Sequence, residues 1–421
     1  MMIRSQNPDK ISLKITLLAA SVMTILGGAF LAPTLPAIRS NFSDLANVDY
    51  LTRLVLTLPA FFIAVNAPLA GYIVDRFGRT RVLVSSLVLA GLAGGSGYIA
   101  PTLTTLLVGR GLVGIAVAGI MTSATTLIAD YYAGEQRAKL LGLQTGFLGI
   151  GGTIFITLTG FLADLNWRAP FLIHLVALAV LPLVLVFLYE PRREFRCADN
   201  PPTVGEPGTC AGESIQMESG TPVTTSEDEP APVRLIAFIY AVILLVEIVF
   251  YIIPLQLPFY LQELTGATAA QSGMAISIFA LSFALASIFL GKTMARRDHI
   301  TVLMLSFILI GLGFSMISLA GESPVLYLGL ATAGSGVGIL IPNMYVWLAS
   351  ETPNAIRGRI LGGFTTALFL GQFLSPVLSQ PLIGVYDIGR TILIAGGFLV
   401  VLVPFVFAGR GRLKKLAAEP A

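Results

Sequence analysis

The chain has 421 residues, of which 55% are apolar and only 12% are charged. Soluble proteins carry about 25% charged residues, so this composition excludes a soluble globular protein and a disordered chain. The net charge of +3 is too small to indicate a nucleic-acid partner, and two cysteines are too few for a disulfide framework or a structural zinc site. The composition predicts a membrane protein.

Twelve apolar stretches are long enough to cross the hydrocarbon core of a bilayer, which takes about 20 helical residues. Because lipid offers no hydrogen-bond partners, each stretch should be a helix, which predicts an all-α membrane protein with twelve transmembrane helices. The predicted spans, numbered in chain order, are residues 15–38, 51–73, 81–100, 104–129, 140–163, 169–189, 233–256, 270–294, 300–320, 324–350, 359–383 and 389–409. The first follows a basic segment, as a signal peptide would, but its length and the eleven later spans indicate a helix that stays in the membrane.

One connection differs from the other, shorter ones. From Glu190 to Pro232 the chain is rich in Pro, Gly, Ser and Thr, with nine acids against three arginines. Such a segment cannot bury enough apolar surface to fold. We therefore predict a disordered linker at residues 191–232, between an N-terminal six-helix half, 1–190, and a C-terminal half with a short basic tail, 233–421. Both cysteines lie in this linker.

The basic residues predict the orientation in the membrane. With the N-terminus in the cytoplasm, 21 of the 26 Lys and Arg residues fall in cytoplasmic segments, as the positive-inside rule requires. The other five are Arg39, Arg53, Arg110, Arg168 and Arg390. We therefore predict a multi-pass protein of the cell inner (plasma) membrane, with both termini and the linker in the cytoplasm.

The two halves repeat each other at an offset of 220 residues. The matching pairs are Gly71 and Gly291, Arg76 and Arg296, Gly114 and Gly334, Arg137 and Arg357, and Gly142 and Gly362. An even number of spans in each half gives a parallel repeat, related by an axis along the membrane normal. That symmetry is typical of transporters that move two halves about a central site.

The connection between predicted spans 2 and 3 reads Gly71-Tyr-Ile-Val-Asp75-Arg76-Phe-Gly78-Arg79. It resembles the Gly-x-x-x-Asp-Arg-x-Gly-Arg loop of the major facilitator superfamily, at the place where that family has it. The resemblance covers the twelve spans, the linker and the repeat, and it implies the major facilitator fold with two pseudo-symmetric halves. The pattern from Leu106 to Gly114, with Arg110 at its centre, is similar to span 4 of proton-coupled exporters, which favours a bacterial drug or metabolite exporter. Span 5 lacks the Gly-Pro pair of antiporters, so export is favoured over strict antiport.

The resemblance implies that this loop is a conformational latch on the cytoplasmic side. Its members would be Gly71, Asp75, Arg76, Gly78, Arg79, Asp130 and Arg137. In the family the acid at the Asp75 position meets span 11, and a carboxylate is stabilised at the positive N-terminus of a helix. Arg76 and Arg79 can pair with Asp130 at the end of span 4. The competing interpretation is that these charges only anchor the loop through the positive-inside bias.

Two ionisable residues, Arg110 and Glu247, lie deep in predicted spans, each about 9 Å from the outer boundary. The resemblance places both on the helices that line the central cavity, spans 1, 4, 7 and 10. Glu247 shares one face of span 7 with Tyr240 and Tyr251, so its carboxyl could exchange a proton during transport. A permanent hydrogen bond or ion pair for Glu247, and an Arg110 side chain that extends to the outer surface, are the competing interpretations.

Further polar residues in the spans allow two interpretations. Asn343 is counted with Arg110, Glu247, Tyr240 and Tyr251 as a candidate for proton coupling or the substrate cavity. It belongs to a set that could contact substrate or bond between helices: Asn66, Gln144, Gln256, Asn343 and Gln372. His174 is expected to be a packing histidine rather than a proton relay.

The sequence predicts a secondary active transporter that works by alternating access, with proton-coupled export of small organic or amphipathic molecules favoured because the spans carry few charges. Two further hypotheses are uptake or facilitated diffusion of a sugar or metabolite and, in another class, a non-transporting membrane receptor. No ATP-binding loop, zinc motif or nucleophile motif is visible. We therefore expect no enzyme activity, no cofactor and no metal; the partners would be a small-molecule substrate, protons and the lipid bilayer, with a monomer as the working form.

Overall fold

The computed structural model describes residues 11–191, 232–290, 297–321, 324–353 and 356–413. The predicted linker and most of the basic tail therefore lie outside the described residues. In the described chain, eleven helices are long and apolar enough to cross a membrane, and a bent helix pair at its start makes a twelfth. The prediction of an all-α membrane protein is confirmed.

The bounds of the spans follow the sequence prediction closely. In the first half they are span 1, the pair Ile11–Gly27 and Ala29–Asn41; span 2, Val48–Phe77; span 3, Arg79–Tyr98; span 4, Leu103–Tyr131; span 5, Gly134–Leu165; and span 6, Ala169–Phe187. In the second half they are span 7, Val233–Thr265; span 8, Ala269–Phe289; span 9, His299–Leu319; span 10, Val325–Ser350; span 11, Arg357–Tyr386; and span 12, Ile388–Ala408.

Two spans differ from their predicted form. Span 1 bends by 43° between its two helices, because the backbone at Gly28 is extended, with φ −98° and ψ −154°. Span 7 runs nine residues beyond its predicted end at Gln256, to Thr265, where Gly266 takes the left-handed conformation that ends many helices. The sequence prediction missed this extension because the polar residues after Gln256 lower the hydropathy, although they do not break the helix.

Helices pack extensively within each half. Span 4 packs against spans 2 and 3 in the first half, and span 9 packs against spans 10 and 12 in the second. The two halves meet mainly along two interfaces, span 2 with span 11 and span 5 with span 8. We call these the 2–11 interface and the 5–8 interface.

Small residues let the backbones approach closely at the 5–8 interface. A Cβ added at Gly160 would lie 2.7 Å from the carbonyl oxygen of Ala269. One turn away, the hydroxyl oxygens of Thr157 and Ser277 are 2.7 Å apart, and the Ser277 hydroxyl also donates to the carbonyl of Thr153 at 3.2 Å. Close packing of small residues with side-chain hydrogen bonds is how helices associate in lipid, where no hydrophobic force drives them together.

The two sides of the molecule differ in how far the halves touch. We call the side on which span 6 ends and span 7 begins the linker side, and the opposite one the far side. The contacts of Gly160 and Thr157 lie towards the far side. On the linker side, a Cβ added at Gly71, Gly142, Gly358 or Gly362 would meet no atom of a neighbouring described segment within 4 Å. The close contacts of Gly160 and Thr157 therefore join the halves towards the far side, whereas these four glycines on the linker side have no close neighbour in another described segment.

Replacing Gly114 by Ala should destabilise the first half. The new methyl group would lie 2.5 Å from the carbonyl oxygen of Pro59 and 2.8 Å from Cβ of Phe62, and overpacking of this kind costs about 1–3 kcal/mol. Thermal unfolding of the purified protein in detergent should show a lower midpoint. Gly397→Ala is the matched control, since a Cβ there has no described neighbour within 4 Å. Equal midpoints for the two variants would contradict this account of the packing.

Candidate functional site

Arg110 in span 4 binds other helices of its own half. Its side chain is buried, with 1% exposed. Nε donates to the carbonyl of Val55 in span 2 at 2.7 Å, and Nη1 donates to the carbonyl of Leu26 in span 1 at 3.2 Å. Nη1 also lies 3.1 Å from Nε2 of His174 in span 6. Arg110 therefore joins four helices, and it neither extends to the surface nor pairs with a carboxylate of the described residues.

His174 completes this cluster. Its Nδ1 lies 3.0 Å from the carbonyl oxygen of Phe171, which can only accept, so Nδ1 carries the hydrogen and Nε2 accepts from Arg110. The ring is wholly buried and packs edge-on against Phe30, with ring centres 5.2 Å apart. Both ring nitrogens are thus used inside the first half, as expected for a packing histidine.

Glu247 lies where spans 7 and 11 pack closely. Its side chain is 1% exposed, and one carboxylate oxygen accepts from Nε2 of Gln372 at 3.1 Å. A Cβ added at Gly371 would lie 2.6 Å from Cβ of Glu247, and the hydroxyl of Ser375 donates to the carbonyl of Ile248 at 2.8 Å. Within the described chain no cation lies at ion-pair distance from Glu247, so its side-chain partner there is a neutral amide.

Tyr251 is close to both Glu247 and Arg110. It is 2% exposed, and its hydroxyl interacts electrostatically with both residues. Neither this hydroxyl nor Nη2 of Arg110 has a hydrogen-bond partner among the described residues. The structure therefore brings three of the predicted site residues into one buried region that crosses from span 4 of the first half to span 7 of the second.

Tyr240 lies on the same face of span 7, nearer the linker side. Its hydroxyl donates to the carbonyl of Ile360 in span 11 at 2.5 Å. Beside it is an open crevice of about 400 Å³ between spans 7 and 11, lined mainly by apolar residues that include Leu244, Ala367 and Leu370. Glu247 follows Leu244, one of the lining residues, by about one helical turn, so it lies within about one turn of the crevice.

Asn343 lies apart from these residues. Its amide oxygen is 2.8 Å from Nδ1 of His299, and its Nδ2 donates to the carbonyl of His299 at 3.0 Å. The ring of His299 stacks on Trp347, with ring centres 5.4 Å apart. Asn343 thus joins span 10 to the start of span 9. The sequence allowed either a contact with substrate or a bond between helices, and in this structure Asn343 forms a bond between helices.

The other four amides of the predicted set also form hydrogen bonds within the protein. Gln144 donates to the hydroxyl of Ser21 across spans 5 and 1 at 2.9 Å, Gln256 accepts from Arg53, and Gln372 donates to Glu247. Asn66 donates to the carbonyl of Phe62 in its own helix at 2.8 Å.

The predicted latch loop is built around Arg79. Its Nε lies 3.0 Å from the carboxylate of Asp130, and its Nη2 lies 3.7 Å from that of Asp75. Gly78 has a φ of +98°, a conformation that favours glycine. Arg76 donates to the hydroxyl of Tyr72 at 2.9 Å, and Arg137 is exposed at the start of span 5. The structure therefore brings Asp75, Arg79 and Asp130 together.

Glu190 is a member of this loop region that sequence reasoning missed. Its two carboxylate oxygens accept from the backbone N–H groups of Arg79 at 2.7 Å and Thr80 at 2.9 Å. These are the first N–H groups of span 3, where a carboxylate is favoured. The neighbouring Tyr189 stacks on Tyr131 of span 4, with ring centres 4.7 Å apart. The only sequence signal was an acid directly after span 6.

Asp164 makes a similar contact on the far side, and it was also missed. Its carboxylate accepts from the backbone N–H groups of Ala269 at 2.8 Å and Ala270 at 3.2 Å, at the N-terminus of span 8. The same helix end carries a capping box formed by Thr268 and Gln271. Asp164 thus joins the two halves at the far end of the 5–8 interface.

Replacing Arg110 by Lys should destabilise the protein although the charge is kept. A single ammonium group cannot reach the carbonyls of Val55 and Leu26 and the ring of His174 together, and each buried acceptor left unpaired costs about 1–3 kcal/mol. The thermal midpoint should fall. The control is Arg39→Lys, because Arg39 pairs with Asp49 in an exposed position, where a pair is worth about 0–1 kcal/mol. An Arg110→Lys midpoint as high as that of the control would contradict the role assigned to the cluster.

Several known proteins are similar to this chain. A tetracycline resistance protein of class E from Escherichia coli is 27% identical over 367 residues, which cover 84% of this chain and 83% of that protein. The multidrug transporter protein MdtP of Bacillus subtilis (strain 168) is 31% identical over 160 residues, which are 38% of this chain and 29% of that protein.

Among solved structures, a bacterial homologue of the human lysosomal transporter Spinster, in an inward-facing and occupied conformation, superposes with a TM-score of 0.77 and 15% identity, over 99% of this chain and 100% of that one. The model of the Major Facilitator Superfamily matches residues 17–376 and 239–419. The chain therefore belongs to the major facilitator superfamily, whose members are membrane transporters rather than enzymes.

Proposed function

We propose that the protein is a proton-coupled exporter of small organic or amphipathic molecules, with Glu247 as the residue that carries the proton. The observation behind this proposal is a buried carboxyl without a cationic partner among the described residues, about one helical turn from an apolar crevice between spans 7 and 11. Two of the relatives are named for tetracycline resistance and for the transport of multiple drugs. Removing a drug from the cell would confer resistance to it, whereas uptake would not, so these names favour export.

Alternating access would use the two interfaces between the halves. In the present state the contacts of Asp164 with the start of span 8 join the halves on the far side, and we propose that the substrate pathway opens on the linker side. We take the linker side as cytoplasmic, because that orientation places 21 of the 26 basic residues in the cytoplasm. A substrate could then enter from the cytoplasm or the inner leaflet in this state and leave when the far side opens.

Proton coupling needs two environments for one carboxyl. In the present state Glu247 lies one turn from the crevice and is bonded to Gln372, a neutral amide, so a proton released here would pass towards the cytoplasm. When the halves move about Tyr251, the surroundings of Glu247 change, and water on the far side could deliver a proton to it. Exchange of an incoming proton for an outgoing substrate then requires that Glu247 release its proton before the substrate binds.

The lining of the crevice favours lipophilic substrates. Apolar side chains dominate it, and the polar groups it presents are the hydroxyls of Tyr240 and Thr366. Since the Tyr240 hydroxyl already donates to Ile360, little hydrogen-bonding capacity remains for a strongly polar molecule such as a sugar. A small organic molecule with much apolar surface fits this space better.

Glu247→Gln should abolish accumulation but keep exchange. The amide has nearly the shape of a permanently protonated carboxyl, so substrate can still cross while proton movement is uncoupled from it. Proteoliposomes with an imposed pH difference and a panel of labelled compounds would measure both activities. Glu263→Gln is the matched control, because Glu263 belongs to the same span but lies beyond Glu247, near its far-side end. If Glu247→Gln still concentrates substrate in response to the pH difference, another residue carries the proton.

The same assay separates proton-coupled export from facilitated diffusion and from the function of a receptor. Flux that follows only the substrate gradient, with or without a pH difference, would indicate facilitated diffusion. Specific binding without flux for any compound would indicate a receptor.

For the loop at Gly71–Arg79 we propose the latch role that the family resemblance implies, with Asp75 holding the cytoplasmic side closed in the opposite state. The support in this structure is the cluster of Asp75, Arg79 and Asp130, which Glu190 joins through the start of span 3. In the closed state Asp75 would also meet the N-terminus of span 11, where a carboxylate is favoured.

Asp75→Asn should shift the equilibrium towards the state that is open to the linker side. Substrate affinity should change little while turnover falls, since the charge acts on the conformational step. Cysteines introduced in spans 4 and 10 would report the shift as faster labelling from the cytoplasmic side. Glu135→Gln, which removes an exposed acid at the start of span 5, should leave labelling unchanged. Equal labelling of Asp75→Asn and this control would rule out the latch.

A further inference from the structure

Arg53 is a buried cation with no part in the roles proposed for Glu247 and Asp75. It lies near the far-side end of span 2, with 3% of the residue exposed. The amide oxygen of Gln256 in span 7 accepts from its Nε at 3.0 Å and its Nη2 at 2.8 Å. The guanidinium also lies over the ring of Phe259, 4.4 Å from its centre. A cation of the first half is thus held by two residues of the second half.

A third residue of the second half completes this contact. When the amide of Gln380 in span 11 is placed with its oxygen towards Arg53, it accepts from Nη1 at 2.7 Å. The 2–11 interface and span 7 therefore meet at one guanidinium group. We call Arg53, Gln256, Phe259 and Gln380 the Arg53 cluster.

Arg53 also has a partner in its own helix. Its Nη1 donates to the backbone carbonyl of Asp49 at 2.7 Å and lies 3.4 Å from the Asp49 carboxylate. Asp49 in turn pairs with Arg39 of span 1 at 2.7 Å. If the halves separate on the far side, Arg53 loses Gln256, Phe259 and Gln380, whereas Asp49 moves with it.

The hydrogen-bond acceptors from the second half are neutral amides. Glu263 of the same half attracts the cation electrostatically but forms no ion pair with it. Both facts affect how the contact can open. An ion pair buried across the interface would be hard to separate, because removing one charge leaves the other uncompensated. Hydrogen bonds to amides can be replaced by water as the far side hydrates, and Asp49 then balances the charge of Arg53. The Arg53 cluster is thus suited to repeated opening and closing.

We propose that Arg53 is the gating residue of the far side and that its hydrogen bonds to Gln256 and Gln380 hold the substrate pathway closed there while the linker side is open. Together with the Asp164 contact at the 5–8 interface, it closes the far side at both interfaces. Its effect is on the conformational equilibrium and not on substrate contact, so it differs from the role proposed for Glu247.

Labelling of a cysteine next to the cluster tests this gate. The background is Cys197→Ser with Cys210→Ser, and the reporter is Thr57→Cys. Thr57 is wholly buried, one turn from Arg53, and its hydroxyl donates to the Arg53 backbone carbonyl. A membrane-impermeant thiol reagent is added to the far side only. Arg53→Gln should speed labelling by about 5- to 30-fold, the change in an equilibrium expected from the loss of one or two such contacts.

The controls separate gating from general damage. Arg390→Gln removes another far-side arginine, one that is exposed and pairs with Asp387 of its own half, and it should leave labelling unchanged. Gln256→Leu keeps the cation and removes its acceptor in the second half, and it should also speed labelling. Monodispersity and the thermal midpoint would show that each variant is folded.

An unchanged labelling rate in both folded variants, Arg53→Gln and Gln256→Leu, would overturn the proposal, and so would an equal rise in Arg390→Gln. If Arg53→Gln does not fold, Gln256→Leu alone decides. The measurement uses neither substrate nor a pH difference, so its outcome is independent of whether the protein is a proton-coupled exporter.

Discussion

A polar side chain inside a bilayer has no water to bind, so it must find its partner on its own helix or on a neighbouring one. This constraint determines how the spans of this protein assemble. Arg110 satisfies it with two backbone carbonyls and the ring of His174, and so holds spans 1, 2, 4 and 6 in one body. Asn343 does the same for spans 9 and 10 through His299. In each half, a small number of polar contacts fixes helices that apolar packing alone would leave free to slide.

Several contacts between the halves satisfy the same constraint near the ends of the spans. Asp164 and Arg53 lie at the far-side ends of spans 5 and 2, and Glu190 makes a similar contact within the first half, at its linker-side end. Their partners are backbone N–H groups at helix ends or neutral amides. When such a contact opens at the surface, water can replace it, which a deeply buried contact does not allow.

The sequence predicts the parts of this arrangement that depend on spacing along one helix. Span lengths and the place of Glu247 on one face of span 7 with Tyr251 follow from periodicity and hydropathy. The pairing of Arg79 with Asp130 could be predicted because the loop and the end of span 4 lie on the same side of the membrane. The partners of Arg110, Asn343 and Arg53 could not, since spacing fixes the face of a helix but not the neighbour that this face meets. Glu190 and Asp164 were missed because an acid at the end of a span looks like an ordinary solvated residue until the adjacent helix N-terminus is known.

Glu247 is held by contacts within its own half and is also close to the other half. Its close packing on Gly371 and the bond between Ser375 and Ile248 hold spans 7 and 11 together within the second half, so this pair should move as a unit. Its own partner, Gln372, also belongs to that unit, whereas Arg110 belongs to the other half. A movement of the halves would therefore change the distance from Glu247 to Arg110 without disturbing the bond to Gln372. Tyr251, whose hydroxyl has no described hydrogen-bond partner, is close to both residues. A carboxyl fixed in one half and a cation fixed in the other would change their interaction whenever the halves moved. Neither would have to leave its own set of hydrogen bonds.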